Sequence, residues 1–184
     1  IARLGDPDHP RSWFARSRAR VATGLSLAAP GIPMLFMGQE FLEDKQWSDD
    51  FESHRDLLLY WAGLDQGDRQ MFDHLRFTRE LLGVRRRLPA LRGSGFRVTH
   101  VHDQNRVLAF HRWVEGEGRD VMVLLHLSNF TRVGYQIGLP GEGIWREVFN
   151  SDVYENWVNA GVAGNNGRIV ANAQPLHGFG YSAG

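Results

Sequence analysis

Residues 31–47 read "GIPMLFMGQEFLEDKQW", a proline-punctuated apolar run that ends abruptly in Gly38, Gln39 and Glu40. Met34–Met37 is too short for a helix and is bounded by Pro33 and Gly38, so the spacing predicts a strand buried on both faces. Burial on both faces implies a parallel sheet. A helix, a short buried strand and a polar loop in that order are the grammar of an α/β barrel or a doubly wound sheet. Functional groups in such folds gather at the carboxyl ends of the strands, where Gln39 and Glu40 fall.

The segment upstream, "RSWFARSRARVATGLSLAAP", spaces Trp13, Phe14, Val21, Leu25 and Leu27 as an amphipathic helix ending before Pro30. Arg16 and Arg20, four apart, read as a solvated helix face. Downstream, "MFDHLRFTRELLGVRRRLPAL" repeats Phe72, Leu75, Leu81, Leu82 and Leu88 and predicts a helix closed by Pro89, with Arg85–Arg87 complementing its dipole.

Beyond Leu91 the period becomes alternating. "FRVTHVH", "RVLAFHRW", "DVMVLLHLSNF", "GYQIGL" and "IWREVFN" predict successive strands, with a hairpin turn at 103–106 and Val121–Leu127 as a central strand. The expected division is 1–91 and 92–184, an α/β part followed by an antiparallel β-sandwich.

Composition narrows the function classes. The 184 residues carry 21 basic and 21 acidic side chains, so nothing pulls the chain as a whole toward nucleic acid or an anionic membrane. The run 24–37 is broken by Pro30, Gly31 and Pro33 and is shorter than the roughly 20 residues that span a bilayer. No nucleic-acid or membrane partner is expected. The absence of cysteine fits a reducing cytoplasm.

Glu40, Glu43 and Asp44 are the closest carboxylates, but residues so near in one loop rarely flank a scissile bond; positioning substrate or bracing the loop suits them better. Trp47, Tyr60 and Trp61 offer faces for stacking on sugar rings, or core packing. His100, His102 and His111 share a face under the simplest register, without a recognised zinc spacing. Asn129-Phe130-Thr131 reads as a turn, no serine has nucleophile-elbow glycines around it, and "AGVAGNNG" is a turn rather than a phosphate loop. No catalytic residue, metal or cofactor is expected in this chain.

"APGIPMLFMGQEFLEDKQW" resembles the eighth-strand segment of the α-amylase superfamily, and its "GQEF" and "LEDKQW" wording is similar to glucan branching enzymes. "RELLGVRRRLPALR" resembles that family's last barrel helix; "RVLAFHRW", "LLHLSNF" and "IWREVFNSD" resemble its C-terminal all-β domain. The resemblance implies an α+β fragment: the last strand and flanking helices of a catalytic (β/α)8 barrel, then the sandwich. It implies a parent that cleaves α-1,4 glucan with retention and passes the chain to a 6-hydroxyl in glycogen biosynthesis. The carboxylate motifs of the fourth, fifth and seventh strands are not among these residues. Gln39, Glu40, Asp44 and Trp47 are the implied substrate-binding residues, and amylose or glycogen and the remainder of the barrel the implied partners. Two alternatives stand beside it: a C-terminal part of an α-amylase-type hydrolase, and a non-catalytic module that either stabilises the barrel or binds glucan through aromatics such as Trp113, Trp145 and Trp157. A chain starting near Leu91 is expected to behave better than the whole.

Overall fold

The computed structural model describes residues 1–154 and 167–184, and divides into two compact units. Trp157, one of the three tryptophans considered for glucan binding, lies outside the described residues.

The first unit contains Ile1–Leu27, Ile32–Gly83 and the helical turn Ser151–Tyr154. Its helices are α1 (Ala2–Gly5), α2 (Trp13–Ala28), α3 (Trp61–Asp65) and α4 (Arg69–Arg87), the last of which runs on past this unit at Gly83. The two long helices form where the sequence predicts them. Their inner faces differ from the prediction. On α2 the buried row is Ala15, Ala19, Thr23 and Leu27, four apart throughout, while Trp13, Phe14 and Leu25 are exposed. Small residues let a neighbour approach closely, as at Gly24, where an added Cβ would already touch Phe77. On α4 the buried row is Met71, His74, Thr78, Leu81 and Arg85, with Phe77 and Val84 beside it, and Phe72 faces out. Polar residues thus occupy core positions, and of the apolar residues that the periodicity names only Leu27 and Leu81 are buried.

The predicted strand at Met34–Met37 does not form. The segment belongs to no sheet, it ends in a turn at Met37, and Met34 is 75% exposed. A strand exists only by its ladder, and no described segment pairs with this one. Ile32, Phe36 and Met37 are likewise exposed.

The second unit comprises Ala28–Gly31, Val84–Asn150 and the described residues 167–184. Its strands are β1 (Gly95–His102), β2 (Val107–Trp113), β3 (Val121–His126), β4 (Ile137–Leu139), β5 (Gly143–Arg146), β6 (Arg168–Ala171) and β7 (Tyr181–Ala183). All pairings are antiparallel, in sheets β1-β2-β3, β4-β7 and β5-β6. The hairpin at 103–106 is present: the Arg106 amide donates to the Asp103 carbonyl at 3.1 Å, and Arg106 sits at φ 54°. The register shifts between Val98 and His100, a bulge that places His111 opposite Arg97.

The central strand is β2 and not Val121–Leu127. In β2, Val107 and Ala109 through Arg112 are buried; β3 is an edge strand with Leu124 exposed. A second core gathers Ile137, Leu139, Ala171 and Ala183, with Met122, Trp145 and Ile169 packed against it.

Arg112 is fully buried. Its guanidinium donates from Nε to the Gly95 carbonyl (3.0 Å), from Nη1 to Ala28 (2.9 Å) and from Nη2 to Gly93 (2.6 Å). Arg85, also buried, donates to the carbonyls of Ala29 (3.3 Å) and Gly31 (2.6 Å). The end of α2 is therefore held by two arginines, and Arg85 serves there in addition to any dipole role in α4. Burial, and the charge of Arg85 beside it, lower the pKa of Arg112.

Candidate functional site

The loop following Met37 is built around left-handed backbone. Met37 (φ 43°), Gly38 (φ 83°) and Leu42 (φ 66°) turn the chain twice within six residues. Gly38 is obligatory by space as well as by φ: a Cβ there would lie 2.7 Å from the Cβ of Glu43. Gln39 and Glu40 form a 3-10 turn with Phe41. Gln39 also closes the turn before it twice, its amide donating to the Phe36 carbonyl (3.1 Å) and its Oε1 accepting from the Phe36 amide (2.9 Å). Phe36 meets Trp47 edge-on at 5.8 Å, and Trp47 is 56% exposed. Gln39 and Trp47 thus belong to one surface, with half-buried Glu40 beside Gln39.

Glu43 is the brace of the loop. Buried, it accepts from the Asp44 and Lys45 amides through Oε1 (3.0 and 3.2 Å) and from the Tyr60 amide through Oε2 (2.7 Å). Three backbone amides take up most of the acceptor positions of this carboxylate, which suits a brace. Glu43→Ala is expected to destabilise the chain by about 2 kcal/mol, since it strands those donors, and a denaturant midpoint equal to wild type would contradict the bracing role.

Asp44 points elsewhere. Its Oδ2 accepts from Arg11 Nε at 2.7 Å and its carbonyl from Arg3 Nε at 2.9 Å, so it ties the loop to the first residues of the chain. Tyr60 and Trp61 are exposed; Lys45 lies over the Tyr60 ring at 5.5 Å, and Trp61 rests on buried Phe41 at 5.0 Å. Exposed aromatic faces at Trp47, Tyr60 and Trp61 can stack on sugar rings, while Gln39 and Glu40 offer donors and acceptors at the turn.

The reading of Arg16 and Arg20 as a solvated face is corrected. Arg20 is 5% exposed, and both arginines wall a pocket of about 220 Å³ completed by Leu42, Arg69, Gln70, Asp73, His74 and Tyr154. His74 is buried, and its ring is hydrogen-bonded to the Gln39 backbone. Burial, reinforced by the Arg20 charge, pushes its pKa down to about 3 against that hydrogen bond. Burial likewise raises the Asp73 carboxyl. The Tyr154 hydroxyl donates to Glu80; burial and that partner raise its pKa. Sequence periodicity missed this pocket, although His74 and Thr78 on the predicted helix were a signal: polar side chains spaced i, i+4 among core positions.

The three-histidine arrangement is not assembled. His111 Nε2 bonds Asp120 Oδ2 at 2.8 Å and its ring stacks on Trp113, while His100 stacks on His177 at 3.8 Å and bonds the Tyr135 hydroxyl at 2.7 Å. Among the described residues no three His, Cys, Asp or Glu side chains are placed to hold a metal ion. No described helix is long and apolar enough to cross a membrane.

Residues 98–183, which include all of β2 through β7, match the family described as alpha amylase, C-terminal all-beta domain. The chain is a relative of the 1,4-alpha-glucan branching enzymes. It is 34% identical to the branching enzyme of Frankia casuarinae over 93% of its length, 33% to that of Burkholderia orbicola over 94%, and 36% to that of Mycolicibacterium paratuberculosis over 85%. The chain spans about a fifth of the length of these relatives, 21%, 23% and 21% respectively. Among solved structures, the pullulanase of Anoxybacillus sp. LM18-11, complexed with maltotetraose, superimposes with a TM-score of 0.59 over 82% of this chain and 22% of that one. At 20% identity that likeness shows the fold alone.

Proposed function

We propose that the chain is the C-terminal part of a cytoplasmic glucan branching enzyme and contributes no catalytic carboxylate itself. The observation that carries this reading is the 34% identity over 93% of the chain, a span that takes in both units. In the parent, cleavage of an α-1,4 bond would leave a glycosyl-enzyme, and transfer to a 6-hydroxyl would replace transfer to water. Residues 1–91 would be the end of the catalytic barrel and 92–184 the β-sandwich domain. Met34–Met37 would then be the barrel's last strand, its ladder supplied by the rest of the parent, which accounts for the apolar side chains that this chain leaves exposed.

The geometry supports different parts for the four loop residues. Trp47 would stack on a glucose ring of amylose or glycogen, Gln39 and Glu40 would meet sugar hydroxyls, and Asp44 would shape the cleft by holding the loop through Arg11. Two measurements on the intact parent test this. Amylose should yield α-1,6 branch points with little gain in reducing ends; a matching rise in reducing ends would assign a hydrolase instead. Trp47→Ala should weaken amylose affinity about tenfold, as expected for loss of one stacking contact of roughly 1.4 kcal/mol, and unchanged affinity would remove Trp47 from the cleft.

A further inference from the structure

The geometry points to a binding pocket for a small phosphate-type oxyanion, walled by the guanidinium side chains of Arg16, Arg20 and Arg69 in the first unit. Arg16 and Arg20 stand one helical turn apart on α2; Arg69, Gln70, Asp73 and His74 come from the first two turns of α4. Among the described residues the pocket therefore gathers three permanent cations against the single carboxylate of Asp73. An arginine fork presents donors in the geometry that phosphate oxygens accept, and a permanent charge in a walled pocket attracts anions more strongly than one in open water.

Two of the three forks are held in place before any ligand arrives. Arg16 Nη1 donates to the Arg11 carbonyl and Arg20 Nη2 to Ser17 Oγ at 3.1 Å, which limits the ordering cost of binding. Tyr154 is fixed by its bond to Glu80 and by Arg76, whose guanidinium carbon lies 5.2 Å from the ring centre. The backbone at the start of α4 contributes little, because Asp68 Oδ1 already accepts from the Gln70 and Met71 amides. Recognition rests on the side chains.

Size and charge define the ligand. The pocket, about 220 Å³, lies below the roughly 300–1,000 Å³ of sites for drug-sized ligands. It suits free phosphate or the phosphate of a single small sugar, and a neutral glucan chain would have no use for three cations. This site stands apart from the branching-enzyme reading, and the loss of either leaves the other intact.

The test is thermal unfolding and isothermal titration of the 184-residue chain in sodium phosphate, against sodium chloride at matched ionic strength. Phosphate is expected to raise the melting temperature saturably, and Arg69→Gln to weaken the titrated affinity at least tenfold. Arg69 is 67% exposed, so its replacement should leave folding intact, and Arg16→Gln provides a second reading. Glucose 6-phosphate forms a further arm: tighter binding than free phosphate assigns the pocket to a sugar phosphate, weaker binding to the free ion, and both support it. A phosphate effect no larger than that of chloride, or one unchanged in both variants, overturns it.

Discussion

Arg112→Met is expected to lower the unfolding free energy by about 3 kcal/mol or more, the largest effect of any single replacement considered. Two opposing contributions decide the sign. Removing a guanidinium that is fully buried relieves its desolvation cost. It also orphans the carbonyls of Ala28, Gly93 and Gly95, each of which loses a hydrogen bond to a charged donor worth roughly 1.5–3 kcal/mol. Three orphaned acceptors outweigh one relieved charge. Arg112→Lys should fall in between, because an ammonium cannot span three acceptors that diverge around a planar fork. Urea denaturation of the two variants beside wild type measures this, and a loss below about 1 kcal/mol for the methionine variant would refute the clamp.

Acid should destabilise the chain from an unusually high pH, and His74 should be the main cause. In the unfolded chain an imidazole takes its proton near pH 6.5; in the folded chain burial and the Arg20 charge delay protonation of His74 to about 3. Above pH 6.5 the group is neutral in both states and contributes nothing to the pH dependence. Between the two values the unfolded state holds the extra proton, so stability falls as pH falls, by at most about 1.4 kcal/mol per pH unit for one such group. At pH 5 the cost from His74 alone is about 2 kcal/mol. His100 and His177, lowered mainly by burial, act in the same direction, while the raised Asp73 carboxyl opposes them in the carboxylate range. Urea melts at pH 7.5, 6 and 5 should show a flatter dependence for His74→Gln than for wild type; parallel curves would acquit His74.

The first of these effects was out of reach of the sequence, and the second nearly so. Both long helices and the β1-β2 hairpin are local features, and spacing alone located them to within a few residues. The inner faces of the helices were not, because Arg20, His74, Thr78 and Arg85 occupy buried positions that a hydrophobicity pattern assigns to water. Strands β6 and β7 went unpredicted for a related reason: each is only three or four residues long and is defined by a partner far away, as Ile137–Leu139 is for Tyr181–Ala183. The Met34–Met37 segment failed in the other direction. Its composition is that of a buried strand, but composition specifies a preference for a ladder and cannot supply the neighbouring strand. Of the loop residues, position was legible and orientation was not. That Glu43 turns inward onto three amides while Asp44 turns toward Arg11 depends on the left-handed backbone at Gly38 and Leu42, of which only the glycine announces itself.

The arginine clamp also bears on where this chain can be cut. A recombinant β half beginning at residue 92 looks natural on the page, since the helical periodicity has just ended there. Such a cut would discard the Ala28 carbonyl and with it one of the three acceptors of Arg112, leaving part of a cation sealed inside the fragment. Four residues, the last of α2 and the three that follow it, thus travel with the strands, and an exchange of this half between relatives should tolerate the junction only where Ala28–Gly31 moves with it.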